Sequence, residues 1–300
     1  MDPAAEVATE RRPEWLKIRL HTGPNYREIK SLVRGLNLHT VCEEAHCPNI
    51  YECWEHRTAT YMILGSICTW RCAYCAVQTG KPMPVDWAEP FRVAKAVKVM
   101  GLRHAVVTSV SRNDLPDGGA EVFARTIRAI RALNPECTVE VLIPDFRGSE
   151  AALRTVLEAR PDILNHNIET VRRLHRKVRP AGRYWRSIEL LRRSKEIAPD
   201  VPTKSGIIIG MGETKEEILE TMADLRAARV DLLTIGQYLR PSKNHWPVVK
   251  YYTPREFEEL RAEGLKMGFA HVESGPLVRS SYHAWEQVDE MRRRASTPNG

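Results

Sequence analysis

Cys68-Thr-Trp-Arg-Cys72-Ala-Tyr-Cys75 holds three cysteines in a C-x3-C-x2-C spacing, shortly after an apolar run, Tyr61-Met-Ile-Leu-Gly65, that reads as a strand. Iron–sulfur clusters take soft thiolate ligands, and three thiolates crowded into one short loop can each reach a different iron of one cube. The fourth iron is then left without a protein ligand from this loop. It forms an open coordination position for a small molecule with hard N and O donors, which is a catalytic arrangement. A zinc knuckle missing its fourth ligand, or a set of unrelated buried thiols, fits less well. Zinc loops pair C-x2-C with a second such pair further on, and core cysteines do not cluster this way.

Outward from this loop, strand-like runs alternate with amphipathic helices, the pattern of repeated βα units around a parallel sheet. The strands are expected at Thr60–Leu64, Ala105–Ser109, Thr138–Ile143, Ile163–Asn167, Gly206–Ile209 and Leu232–Ile235. The helices between and after them are expected at Pro90–Met100, Ala120–Leu133, Glu150–Glu158, Tyr184–Ile197, Glu213–Ala228 and Pro254–Met267. Either an open doubly wound sheet or a partial barrel fits this order. Polar loop residues gather after the strands, at Ser109–Gly119, Asn165–Thr170, Gly210–Thr214 and Gln237–His245, where a barrel would converge them on one mouth. The glycine-rich dinucleotide fingerprint is absent after the first strand, and the cysteine loop stands in its place. The expected fold class is therefore α/β, a partial (β/α)6 TIM-type barrel with N- and C-terminal extensions covering its mouth. The expected division is an N-terminal extension over 1–59, a barrel over 60–273 and a C-terminal arm over 274–300.

Three hundred residues can bury a full core. The net charge is +7, with much of the excess between Arg172 and Arg193. That basic face reads equally as solvated helix surface or as a dock for an acidic partner. Nucleic acid fits less well, because the run lacks interleaved aromatics. Seven cysteines, six of them in two triplets between Cys42 and Cys75, imply a reducing intracellular setting and no disulfide framework. The first fourteen residues carry Asp2, Glu6, Glu10 and Glu14 without an apolar run, and read as a mobile tail and not as a targeting segment. No run is long enough to span a bilayer, so a soluble protein is expected. Trp15–Leu20 is expected to wrap the domain, and Gly23-Pro24 to turn into a helix over Tyr26–Arg34 that Gly35 caps.

The second triplet is Cys42, Cys47 and Cys53, in C-x4-C-x5-C spacing, and two triplets suggest two clusters. This triplet again leaves one iron in need of a ligand, for which Cys137, His46, Ser280 and Ser281 are candidates. Cys137 taken alone reads better as a small buried hydrophobe. The Gly118-Gly119 pair lets backbone approach a ligand closely, or makes an ordinary turn into a helix. Asn165-His-Asn-Ile-Glu169-Thr170 is a dense polar group beside the expected mouth. Glu169 suits ribose hydroxyls there, and Arg179 or Arg183 a carboxylate, since a guanidinium fork matches one bidentately; capping roles fit these residues equally. His104, His166 and His175 are single histidines, more often satisfied by backbone than used as ligands.

The Cys68 loop, with Tyr74 just before its last cysteine, resembles the radical S-adenosylmethionine superfamily. The two triplets together resemble the lipoyl synthase family. So do His39-Thr-Val-Cys-Glu-Glu-Ala, Asp117-Gly-Gly, Asn165-His-Asn-Ile-Glu-Thr, Gly236-Gln-Tyr-Leu-Arg-Pro-Ser242 and Arg279-Ser-Ser-Tyr-His-Ala284. The family often has Arg where Trp70 stands and Asp where Ala76 stands, neither a ligand position. The resemblance implies two 4Fe-4S clusters and S-adenosylmethionine, with radical-driven insertion of two sulfur atoms at C6 and C8 of a protein-bound octanoyl-lysine. A saturated C–H bond has no acidic proton and no carbonyl, so a radical must abstract the hydrogen. The resemblance further implies that Cys68, Cys72 and Cys75 hold the radical-generating cluster. Cys42, Cys47, Cys53 and, by position, Ser281 (with Ser280 next) would hold a second cluster consumed as sulfur donor. It places contacts to S-adenosylmethionine at Tyr74, Ser109, Gly118, Gly119, Asn165, Glu169 and Arg179. The partners implied are octanoylated lipoyl carriers (E2 lipoyl domains or glycine-cleavage H protein), a reductant such as flavodoxin or ferredoxin, and an iron–sulfur carrier, in the cytoplasm, with no nucleic acid and no membrane. Other readings are a methylthiolating enzyme acting on transfer RNA, for whose added RNA-binding domain the chain leaves no room, a non-catalytic iron–sulfur carrier, and a zinc-dependent nucleic-acid binder.

Overall fold

A computed structural model describes residues 12–18, 22–282 and 284. Residues 1–11 of the tail expected over the first fourteen residues, the end of the Trp15–Leu20 segment, His283 and the arm from 285 onward lie outside the described residues. One eight-stranded sheet runs in chain order: β1 (His39–Thr40), β2 (Thr60–Ile63), β3 (His104–Ser109), β4 (Thr138–Leu142), β5 (Ile163–Asn165), β6 (Thr203–Ile209), β7 (Leu232–Gln237) and β8 (His271–Gly275). β1 lies antiparallel on β2, and every later pair is parallel. β1 and β8 are the two edges and do not pair with each other, so the barrel is partial. The six expected strands are β2 to β7. The edge strands are additions, and β8 straddles the expected boundary at residue 273.

Ten α-helices accompany the strands among the described residues: α1 (Pro24–Gly35), α2 (Val41–Glu44), α3 (Ile50–Glu55), α4 (Glu89–Met100), α5 (Ala120–Leu133), α6 (Glu150–Glu158), α7 (Arg172–Val178), α8 (Tyr184–Ile197), α9 (Lys215–Ala227) and α10 (Pro254–Lys266). Gly35 is the last turn of α1 and not its cap, which is Leu36. Both α9 and α10 begin with a capping box, in which the Thr214 or Thr253 hydroxyl accepts from the backbone N–H three residues on and a glutamate answers back. The inner helix faces, such as Val122, Phe123, Ile127 and Ile130 of α5, pack on strands buried on both faces.

Alternation along the strands stacks the barrel interior in layers. Glu140 and Lys204 are fully buried, each two residues before an interior residue of the next layer up, Leu142 and Gly206. Lys204 Nζ lies 3.1 Å from Glu140 Oε1, Asn165 Nδ2 donates to that oxygen at 2.9 Å, and His104 Nε2 is 3.5 Å from Glu140 Oε2. Burial alone would raise the Glu140 carboxyl, but Lys204 and His104 outweigh it and hold it down at about 2. Asn165 therefore belongs to this ionic layer.

Candidate active site

Above that layer the barrel encloses a cavity of about 480 Å³. All six clustered cysteines line it, together with Ser280 and Ser281, Tyr74, Ser109, Asn167, Glu169 and Arg179. Arg12 and Ile18 reach it from the N-terminal segment, which is anchored by Trp15 Nε1 donating to Tyr252 O at 3.2 Å.

The Cys68 loop follows a left-handed turn at Leu64 and Gly65, and the Leu64 N–H is accepted by the buried Glu89 carboxylate at the start of α4, at 2.7 Å. The loop closes on itself through Cys68 N–H to Gln78 O at 2.8 Å and Gly80 N–H to Cys68 O at 3.1 Å. Its neighbours fix it further: Thr69 N–H donates to Ser111 O, Ala73 N–H to Val178 O, and Trp246 N–H to Ala73 O, at 2.7–3.0 Å. His245 Nε2 meets Cys75 O at 3.0 Å. Two backbone N–H groups, of Trp70 and Ser111, point at Cys68 Sγ at 3.4 and 3.3 Å.

The other triplet is set by two short helices. The Thr40 hydroxyl caps α2, which carries Cys42, a left-handed turn at His46 leads to Cys47, and α3 carries Cys53. Burial pushes the Cys42 and Cys72 thiols up to about 12 and Cys75 to about 11, and raises Cys47 and Cys53 as well. Six free thiols around one cavity are a donor set for metal cations, which cysteine binds as thiolate. Among the described residues no three His, Cys, Asp or Glu side chains converge as they would on a single metal ion.

After β8 the chain folds back over this triplet. Leu277 O accepts from Asn49 Nδ2 at 2.7 Å, Ser280 Oγ from Asn167 Nδ2 at 2.7 Å and Ser281 Oγ from Thr60 Oγ1 at 2.8 Å. The arm lies so close to β7 that a Cβ on Gly236 would come within 2.1 Å of Val278 O. His46 also lines the cavity. Cys137 does not; it is buried just before β4 begins, at the other end of the strands.

On the side of the Cys68 loop, the Arg179 guanidinium stacks over Trp70 at 5.2 Å and donates to Asn167 O at 2.9 Å. Glu169 sits beside it with a φ of 71°, its backbone bridging Gly206 and Ile208, and burial raises its carboxyl. Ser109 Oγ, Asn167 Oδ1, Arg179 Nε and Trp70 Nε1 have no hydrogen-bond partner among the described residues. Orphaned buried donors and acceptors call for a ligand, and this mixture suits a zwitterion carrying hydroxyls.

Three expected contacts lie elsewhere. Gly118 and Gly119 adopt φ of 62° and 92° to turn the chain into α5, under Phe146 and Leu64 and behind the cavity wall, with the Gly119 N–H taken by Asp117. Asn165 is held by Glu140 one layer below. Arg183 donates to Pro180 O and Gly182 O. The interior face of the sheet supplies residues outside the expected site set, among them Thr60, Thr108 and Thr234. Strand alternation from a known register would have found them.

His166 is satisfied by Ile143 O and Ser187 Oγ, and His104 meets Thr138 Oγ1 through Nδ1 only, whereas neither ring nitrogen of buried His175 has a hydrogen-bond partner among the described residues. The basic face is partly paired: Arg173 pairs with Glu217, Arg186 with Asp145, and Arg192 and Arg193 share Glu189. Among the described residues no helix is long and apolar enough to cross a membrane.

Residues 62–225 match the radical SAM superfamily, and residues 4–47 match the N-terminal domain of lipoyl synthase of that superfamily. The chain is 63% identical to the lipoyl synthase of Rubrobacter xylanophilus, over 96% of this chain and 90% of that one. It is 62% identical to that of Geobacillus thermodenitrificans, over 93% and 94%. Among solved structures, methylornithine synthase (PylB) aligns with a TM-score of 0.54 at 13% identity, covering 80% of this chain and 82% of that one. HydG, a maturase of the FeFe-hydrogenase, aligns at 0.56 and 16%, covering 77% and 54%. These two structures share the fold.

Proposed function

The chain belongs to the lipoyl synthase family of the radical SAM superfamily, and on that footing we propose how its residues divide the work. The enzyme inserts two sulfur atoms, at C6 and C8, into an octanoyl chain amide-linked to a lysine of a lipoyl-carrier protein. Its cofactors are two 4Fe-4S clusters and S-adenosylmethionine, which when bound supply a hydrogen-abstracting 5'-deoxyadenosyl radical and the sulfur.

Cys68, Cys72 and Cys75 hold the radical-generating cluster at the end of β2. Cys42, Cys47, Cys53 and Ser281 hold the donor cluster. The single observation that carries this division is that both triplets and Ser281 line one cavity. The barrel over 60–273 thus supplies the radical, the extension over 1–59 the donor site, and the arm over 274–300 its oxygen ligand. Arg179 and Glu169 orient S-adenosylmethionine through its charged and hydroxyl groups, with Tyr74, Ser109 and Asn167 beside them. Asn167 takes the place that Asn165 was expected to fill. The wall of Met62, Val110, Leu142, Ile143 and Ile208 shapes the cavity for an alkyl chain and keeps water from the radical. A serine oxygen is a harder, weaker partner for iron than a thiolate, which suits a cluster that must be broken up. A cytoplasmic setting, a flavodoxin- or ferredoxin-type reductant and an iron–sulfur carrier that rebuilds the donor complete the reading.

The test is anaerobic incubation of the loaded enzyme with an octanoyl-lysyl peptide, a strong reductant and S-adenosylmethionine. Wild type should add two sulfurs to the peptide. Cys42→Ala should release 5'-deoxyadenosine without adding sulfur, and Cys68→Ala should do neither. Sulfur insertion by Cys42→Ala would refute the division.

A further inference from the structure

Ser281 is held by the sheet itself. Thr60, the first residue of β2, is 3% exposed and faces the cavity, and its backbone is fixed by pairing with Val106 of β3. Its hydroxyl donates to Ser281 Oγ at 2.8 Å. Cys42 lines the same cavity, so one strand residue ties the serine that arrives from the far end of the chain to the wall the donor triplet shares.

We propose that Thr60 is a positioning residue for the donor cluster, its buried hydroxyl holding Ser281 Oγ on the cavity wall that the Cys42 triplet shares. This deepens the reading of Ser281 as the oxygen ligand and rests on it. The opposing account is that Thr60 only packs, its hydroxyl docking the arm as any polar pair would. The two accounts differ in what the hydroxyl does to iron retention and in whether Thr60 acts through Ser281.

The experiment uses the full chain carrying Cys68→Ala, so that only the donor triplet is loaded, and follows iron transfer to a chelator together with the Mössbauer signature of the cluster. Thr60→Val keeps the shape and removes the hydroxyl; it should lose iron about fivefold faster, the worth of one hydrogen bond. Thr60→Ser should retain iron as the parent does. Ser281→Ala should match Thr60→Val, and the double variant should be no faster than Ser281→Ala alone. If Ser281→Ala speeds iron loss and Thr60→Val does not, the proposal fails while Ser281 stands as ligand. Additive effects in the double variant overturn it equally. If Ser281→Ala leaves iron loss and signature unchanged, the ligand reading fails and takes the proposal with it. Should Thr60→Val fail to fold, Thr60→Ser still decides: parent-like retention supports the hydroxyl, and loss as fast as in Ser281→Ala overturns it.

Discussion

Gly236→Ala adds one methyl group where the C-terminal arm crosses β7. The new Cβ would stand 2.1 Å from Val278 O and 3.1 Å from its carbonyl carbon. Real Cβ contacts do not fall below 3.0 Å, so the arm must retreat by roughly 1 Å. Gly236 does not use the left-handed region, so alanine is tolerated by β7 itself and the cost falls on the arm. The same retreat stretches the 2.7 and 2.8 Å bonds to Ser280 and Ser281 beyond hydrogen-bond range. Two such bonds are worth about 2 kcal/mol net, so the docking equilibrium of the arm should weaken about thirtyfold. The assay measures two products from one incubation. Sulfur insertion into an octanoyl-lysyl peptide should fall, by up to about thirtyfold, while release of 5'-deoxyadenosine stays within about twofold, because the atoms nearest the new Cβ belong to Val278 and Arg279 and not to the Cys68 loop. Unchanged sulfur insertion, or loss of both products together, would refute the reasoning.

Other positions test the frame that holds the site. Lys204→Met leaves Glu140 buried and charged with only Asn165 and His104 beside it, and should cost about 3 kcal/mol of stability; adding Glu140→Gln should recover most of it, read by thermal and denaturant unfolding. Glu140 also predicts an acid limb. Its folded value of about 2 lies below its ordinary 4.5, so its contribution, about 3 kcal/mol, is present above 4.5 and is lost as pH falls from 4.5 toward 2. Stability that stays flat across that window in wild type, yet falls in Glu140→Gln, would contradict this. Thr253→Ala removes the α10 cap and should lower stability by about 1 kcal/mol and the melting temperature by about 2–4 °C, with sulfur insertion unchanged.

What the sequence displayed and what it hid follow from local chemistry. Thiolate ligands are legible because a cluster restricts residue type and spacing together, which is why Cys68, Cys72 and Cys75 declare themselves. The inner strands are legible because burial on both faces demands continuous apolar runs, as at Tyr61–Ile63. β8 is not, because only His271 and Val272 of its five residues are buried. α7 hides behind five basic residues in seven, since its buried side is no more than Leu174, His175 and Val178. Gly118 and Gly119 mislead because a glycine pair can serve either a ligand or a left-handed turn, and only the surrounding Phe146 and Leu64 side chains decide between them. Asn165 and Asn167 carry the same chemistry two residues apart on one face, and the height of the cavity floor separates them. Ser281 carries no signal of its own; it came from resemblance.

The two halves of the site are built to different tolerances. The Cys68 loop is fixed mainly through its backbone, closing on itself and donating to or accepting from Ser111, Val178, Trp246 and His245. The backbone-to-backbone bonds among these survive side-chain substitution; the His245 bond, made by its ring, does not. On the proposed division, the donor site joins residues more than 200 positions apart, with Cys42 at one end and Ser281 at the other. Its closure is made by the side chains of Asn49, Thr60 and Asn167. Each such contact is worth about 1 kcal/mol, so the arm is held by a handful of separable bonds. On that division, the first construction suits a cluster that persists and the second one that is consumed as sulfur donor.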